Sequence, residues 1–283
     1  MTDYFIFFIF ILIFFNNYSL IANRYNLFDY PDKVRKKHTL PTPLLGGFLI
    51  YLNLILYIFI YFFFDFETNY FQTNNEIIIF FLASTFFFIV GYFDDKYHVA
   101  PNYKLLLTTV LIVFVMYFDE NLIINNINFT FSTSQLNLGL FRYFFTILCF
   151  LLFINAYNML DGINGQASSY AIFILTIFVS LKIELYFLLI PLLFFLILNF
   201  KGKMFLGDSG TMLIGFILGY FFVKLHNINK TFISDEIFLI MMIPGFELLR
   251  LAFTRIIQKK HPFRPDNNHI HHYLQKKLSF ILV

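Results

Sequence analysis

Adjacent carboxylates, Asp94 and Asp95, stand at the end of an apolar run, and Lys104 follows shortly after. Ionisable residues at the edge of a membrane span are costly and mark function by default. Neighbours on a helix point about 100° apart, so this pair does not grip one atom equally: one acts and the other orients. A solvated helix end with Lys96 as local partner is the structural alternative. Asn155, Asn158 and Asp161 are spaced by three, which a helix places on one broad side. Their carboxylate and amide oxygens are hard ligands suited to Mg²⁺. Gly162 and Gly165 then end that helix or let backbone approach a ligand. Asp208 lies in Phe205–Gly210, after Lys201 and Lys203. There Asp208 or Ser209 either caps the next helix, or Asp208 holds a metal that bridges to phosphate at an anion-binding helix N-terminus. The fourth cluster, His261–Tyr273, contains Arg264, His269, His271 and His272. Its histidines suggest zinc, but no thiolate is near and the Asp-rich partners point to a hard ion, so phosphate recognition by imidazoles and Arg264 reads better.

A hard-metal site beside cationic side chains is what phosphoryl transfer needs: charge neutralisation, cations on the oxygens, and alignment of nucleophile and leaving group. No GxxxxGK loop or kinase signature is present, which argues against a P-loop ATPase or a kinase.

The elements that carry these residues are membrane helices. The chain of 283 residues is 59% hydrophobic and only 13% charged, against about 25% charged in a soluble domain. The abundance of Phe and Tyr reads as coding bias and says nothing of a binding surface. The single cysteine, Cys149, lies in an apolar run and has no partner for an internal disulfide. Nine apolar segments predict an all-α, polytopic transmembrane bundle: about 4–22, 44–64, 76–93, 103–118, 140–159, 166–182, 184–200, 211–225 and 236–254. Met1–Ala22 has Asp3 and no basic leader, so it predicts a first span, not a signal peptide. With the N-terminus outside, 16 of the 20 Lys and Arg fall on the inner side, as the positive-inside rule asks. All four polar clusters then meet at the inner face. A secondary transporter of an anionic substrate is the alternative from another class, but transporters gather ionisable residues near the midplane.

At this point the sequence resembles the polyprenyl-phosphate N-acetylhexosamine-1-phosphate transferases, relatives of the phospho-N-acetylmuramoyl-pentapeptide transferase. The resemblance rests on Arg35–His38 with Pro43–Gly47, on Asp94-Asp95, and on Asn158–Gly165, Phe205–Gly210 and His269–His272. The last motif looks like the GlcNAc-type branch. The resemblance implies a Mg-dependent phosphoglycosyltransferase (EC 2.7.8.-) of the bacterial inner membrane with a cytoplasmic active-site cleft and ten or eleven spans. Its reaction moves sugar 1-phosphate from a UDP-N-acetylhexosamine to undecaprenyl phosphate, releasing UMP, the first membrane step of a cell-envelope glycan such as O-antigen. By resemblance, Asp208 is the principal Mg²⁺ ligand and Asn158 the second, with Mn²⁺ as a substitute. Phe205 stacks on uracil and Asn164 reads its edge. Lys104 contacts the diphosphate, and Lys37, His38, Arg264, His269, His271 and His272 bind substrate. Asp94 and Asp95 are the candidates for activating the acceptor, and Asp161 is essential. The bilayer and a second copy of the chain are the expected partners; nucleic acid is not.

Two departures stand out. Glu247 replaces the family's usual Asp, and only Ser279–Val283 offers the start of a further apolar run. The expectation is one catalytic domain over 1–283, truncated or short at its C-terminus, with a catalytically degenerate relative as the alternative.

Chemistry limits the mechanism at once. A phosphate monoester has a second pKa of about 6 and an ordinary Asp one near ~3.9, so the lipid phosphate is already mostly dianionic at neutral pH. A carboxylate is a poor base for it. Direct in-line displacement is expected, with Asp94 or Asp95 orienting the acceptor; the rival is a phospho-aspartate intermediate.

Overall fold

The computed structural model describes residues 2–31, 40–64, 70–183, 185–229 and 231–259. Among these, each of the nine apolar segments is a helix: α1 Thr2–Tyr25, α2 Gly46–Phe63, α3 Asn74–Tyr97, α4 Pro101–Phe118, α5 Arg142–Leu160, α6 Gln166–Ser180, α7 Tyr186–Phe200, α8 Gly207–Lys224 and α9 Ser234–Ile257. Strands among the described residues are confined to two-residue pairs, Phe28–Asp29 with Thr42–Pro43 and Asn126–Ile127 with Leu136–Asn137. Among the described residues, seven helices are long and apolar enough to cross a membrane, whereas α6 and α7 have fifteen residues each. Fifteen residues rise about 22 Å, short of a hydrocarbon core of about 30 Å.

The bundle is built around α8, which packs mainly on α3, α5 and α2. Every residue of Gly207–Lys224 is buried except Asp208. Small residues allow this close packing. A Cβ on Gly91 of α3 would come within 2.5 Å of the Ser209 Cα, and one on Gly47 of α2 within 2.5 Å of the Gly210 nitrogen. Two helices therefore cross the first turn of α8 at backbone contact. Farther along, Gly215 and Gly219 receive Ile154 and Phe150 of α5.

The segment before α2 is laced to the segment before α8. The Phe205 N–H donates to the Pro43 carbonyl (2.9 Å), and the Gly46 and Gly47 N–H groups donate to the carbonyls of Phe205 and Leu206 (both 3.0 Å). The last two bonds satisfy donors that a helix start leaves without intrahelical partners. The Pro43–Gly47 and Phe205–Gly210 motifs are thus one structural unit.

At the far end of α8, Lys224 is 1% exposed and its ammonium donates to Glu76 Oε2 (2.6 Å) and to the Tyr220 hydroxyl (3.1 Å). Tyr220 donates on to Asp119 Oδ2 (3.0 Å), and the Asn121 side chain to Glu76 Oε1 (3.2 Å). This network ties α8 to the start of α3 and to the segment after α4. A buried ammonium is tolerated there because it is paired and hydrogen-bonded.

Candidate active site

The last turn of α3 ends on the first turn of α8. Asp95 Oδ1 accepts from the Asp208 N–H (2.7 Å) and Oδ2 from the Ser209 N–H (3.0 Å). Both amides belong to the set a helix cannot satisfy internally, and a carboxylate there also complements the helix dipole. The cap of α8 therefore comes from another helix. The alternative that Asp208 or Ser209 caps its own helix is not met: the N-cap residue is Leu206, without a side-chain bond. Gly207 has φ +74°, and a Cβ on it would meet Asp95 Oδ2 at 2.7 Å, so this approach needs glycine. Asp161, just beyond α5, joins the same helix start through the Gly207 amide. Burial pushes the Asp161 carboxyl well above the usual carboxylate range, the charges of Asp208 and Asp95 push the same way, and the Gly207 amide pulls against them.

With its backbone held, the Asp208 side chain projects into a polar cluster. Lys104, in the first turn of α4, places its ammonium 2.5 Å from Asp94 Oδ2 and 3.2 Å from Asp208 Oδ1. Pro101 opens α4, where its fixed φ suits a first helical residue and its missing N–H costs nothing. Asn158, in the last turn of α5, donates from Nδ2 to Asp208 Oδ1 and to Thr211 Oγ1, the latter at 2.7 Å. Lys96, the local partner that the structural alternative gave the aspartates, instead lies over the rings of Tyr92 and Tyr97. The Asp94-Asp95 pair divides as its helical phase requires: Asp94 faces the cluster, and Asp95 is committed to the cap.

The uracil candidates flank this cluster. Phe205 is half-buried beside the α2 start, and Asn164 is half-buried with its amide near Gly202. Asn199, buried at the end of α7, ties their two loops together. It accepts from the Gly165 N–H (2.5 Å) and donates to the Met204 carbonyl (2.8 Å). Asn155 does not join Asn158: its amide bonds back to the Leu151 carbonyl (2.7 Å). Lys201 and Lys203 are exposed. Lys37, His38, Arg264, His269, His271 and His272 lie outside the described residues.

Asn199 and Thr211 carry site contacts that sequence reasoning missed. Thr211 sits three residues after Asp208, a spacing that puts both on one helix face; that was the available signal. Asn199 offered only its place at the end of an apolar run.

No three His, Cys, Asp or Glu among the described residues converge to hold a metal by themselves. The cluster instead offers the carboxylate of Asp208, whose side chain is 34% exposed, beside the amide of Asn158. The Asp208 carboxylate fits Mg²⁺, which commonly takes one or two carboxylates and leaves its other positions to water and substrate phosphate.

Comparison with known proteins agrees with this geometry. Over 302 residues the chain is 26% identical to the undecaprenyl-phosphate α-N-acetylglucosaminyl 1-phosphate transferase of Escherichia coli strain K12, an alignment that covers 100% of this chain and 79% of the relative. The protein of the same name from Salmonella typhimurium strain LT2 is 26% identical over 283 residues, covering 93% and 74%. That of Thermotoga maritima is 28% identical over 265 residues, covering 92% and 77%. The sequence profile described as glycosyl transferase family 4 matches residues 77–226. That stretch is more than half of the chain and includes Asp94, Asp95, Lys104, Asn158, Asp161 and Asp208. With the site's polar residues inside the matched stretch, the chain belongs to glycosyl transferase family 4.

Proposed function

We propose that this chain transfers N-acetylglucosamine 1-phosphate from UDP-N-acetylglucosamine to undecaprenyl phosphate, at the cytoplasmic face of a bacterial inner membrane. The observation that carries the reading is the convergence of Asp94, Lys104, Asn158 and Asp208 at one end of a membrane-helix bundle. The names of the relatives support the sugar and the lipid.

In the proposed reaction, an oxygen of the lipid phosphate forms a bond to the sugar-bearing phosphorus of the donor. The bond from that phosphorus to the bridging oxygen breaks, and UMP leaves. Asp208 would hold Mg²⁺, with Asn158 as a second ligand. When bound, that ion neutralises charge on the diphosphate and on the leaving group. Lys104 supplies a fixed positive charge that ground-state water would have to reorganise to match. Asp94, anchored by Lys104, orients the acceptor phosphate. Phe205 stacks on the uracil and Asn164 hydrogen-bonds its edge; Lys37, His38, Arg264, His269, His271 and His272 bind phosphate oxygens. A mainly apolar hollow of about 360 Å³ is lined by Met159, Leu160, Ile243 and Phe246, with Gln166, Glu247 and Arg250; Met159 follows Asn158 in the chain. The hollow gives the first prenyl units of the acceptor an apolar surface beside the reacting phosphate.

The test is UMP release from UDP-N-acetylglucosamine by membranes containing this chain, with undecaprenyl phosphate and Mg²⁺. Release that requires both and is abolished by Asp208→Asn is the expected result. A folded chain that releases nothing from any UDP-N-acetylhexosamine would reject the reading. Direct displacement further predicts inversion at a chirally labelled phosphorus; net retention would instead demand the phospho-aspartate route.

A further inference from the structure

Helix α9 carries Pro244 in its interior. Proline has no N–H, so the Ile240 carbonyl, four residues earlier, loses the donor that a regular helix would give it, and the ring crowds that same carbonyl. Inside a bilayer no water replaces the bond, and a neighbouring helix must answer the freed group. Here α6 does so: the Tyr170 hydroxyl donates to the Ile240 carbonyl at 2.7 Å. The Tyr170 ring lies beside that of Tyr157 on α5, with centroids 6.3 Å apart. The Tyr157 hydroxyl in turn donates to the Ala167 carbonyl of α6 (3.0 Å). A brace therefore runs from the last turn of α5, next to Asn158, through α6 to the proline of α9.

The part of α9 held by this brace is a wall of the mainly apolar hollow. Ile243 precedes the proline, Phe246, Glu247 and Arg250 follow it within two turns, and all four line the hollow. Glu247 accepts from the Arg250 guanidinium through both oxygens (2.8 and 2.9 Å), so this stretch moves as one piece. At the bend itself, a Cβ on Gly245 would meet nothing within 4 Å among the described residues, and no neighbour props the helix from that side. A proline bends a helix, and the partner of the freed carbonyl then decides where the far half points.

We infer that Tyr170 is a positioning residue for the acceptor: its hydroxyl fixes the bend of α9 and thereby the shape of the hollow that takes the prenyl chain. The inference rests on the proposed reaction, in which that hollow receives the acceptor. Tyr170 is not one of the residues lining the hollow, so its hydroxyl acts on the acceptor through α9.

The experiment uses the full-length chain in detergent, in a Cys149→Ser background, and pairs a distance with the kinetics of UMP release. Nitroxide labels on Ile197→Cys of α7 and Phe253→Cys of the far half of α9, both exposed positions, report the bend by double electron–electron resonance. Tyr170→Phe is expected to shift or broaden that distance and to raise KM for undecaprenyl phosphate about fivefold, the weight of one lost hydrogen bond. The kcat and the KM for UDP-N-acetylglucosamine should stay at the wild-type values. Pro244→Ala supplies an N–H that answers the Ile240 carbonyl within α9. In that background Tyr170→Phe should change neither the distance nor KM. Thermal melting checks folding; if Tyr170→Phe alone fails to fold, adding Pro244→Ala should recover it, and failure of both overturns the inference. So does an unchanged distance in Tyr170→Phe, or an equal effect in the Pro244→Ala background, because Tyr170 would not then act through the freed carbonyl. A changed distance with an unchanged acceptor KM also overturns the positioning role and leaves the reaction standing. A wild-type chain that releases no UMP from any UDP-N-acetylhexosamine rejects the reaction and the acceptor role together, while the distance still decides whether Tyr170 sets the bend.

Discussion

Asp94 and Asp95 are neighbours whose oxygens touch different things. Asp94 meets the Lys104 ammonium, and Asp95 meets two backbone amides of α8. Their substitutions should therefore separate. Asp94→Asn is expected to lower turnover in UMP release by roughly 100-fold, the scale of a misplaced reactant, with melting nearly unchanged. Asp95→Ala leaves two helix-start amides unpaired, at about 1 kcal/mol each, so it should lower both the melting temperature and activity. Full stability with lost activity in Asp95→Ala would make Asp95 a reacting group and not a cap. The sequence implies that the two carboxylates of the pair meet different partners, because adjacent helical residues diverge. It does not show which, since that depends on where a helix more than a hundred residues later begins. Thr211, despite its spacing from Asp208, was missed because a threonine among apolar residues looks like core until its hydroxyl is seen beside Asn158.

At the scale of elements, all nine apolar segments are helices, yet two boundaries moved by about a turn. The segment predicted to end near residue 93 continues to Tyr97, and the one predicted to start near 211 starts at Gly207. Polar residues and glycines are ordinary signs of a loop. Here they pack one helix end on another: Gly91 permits backbone contact with α8, and Asp95 caps it. The opposite end of α8 is fastened by Lys224, Glu76, Asp119 and Tyr220. Breaking a buried pair from one side leaves uncompensated charge and costs about 3–5 kcal/mol. Lys224→Met is thus expected to destabilise the folded chain by about that much in detergent, measured by chemical or thermal unfolding. Turnover per folded molecule should stay the same, because Lys224 lies at the opposite end of α8 from Asp208. A loss of turnover without loss of stability would tie this network to the chemistry.

The molecule as a whole has two unlike ends. One carries Asp94, Lys104, Asn158 and Asp208; the other carries the Lys224 network and the Asn126–Asn137 hairpin. The distribution of Lys and Arg sets the proposed direction, with the first end cytoplasmic. Single cysteines in a Cys149→Ser background test it. Thr133→Cys should react with a membrane-impermeant thiol reagent in intact cells, and Lys203→Cys only after permeabilisation. The reverse pattern would overturn the orientation. The sequence placed the clusters on one side through charge counting. It did not reveal how they meet, because contacts such as Asp95 with Ser209 or Asn158 with Asp208 join residues 50 to 114 positions apart.

The burial of α8 also bears on how the chain is made. Among the seven helices long and apolar enough to span, α8 is the least hydropathic, with a mean of 1.4 where the others run from 1.5 to 2.2. It carries Asp208 in its first turn and ends with Lys224. On its own it is the poorest candidate for partitioning into lipid. Its principal neighbours, α2, α3 and α5, all precede it in the chain. Synthesis therefore delivers the central helix after its walls, and its entry into the bilayer is best seen as docking into a preformed slot of protein.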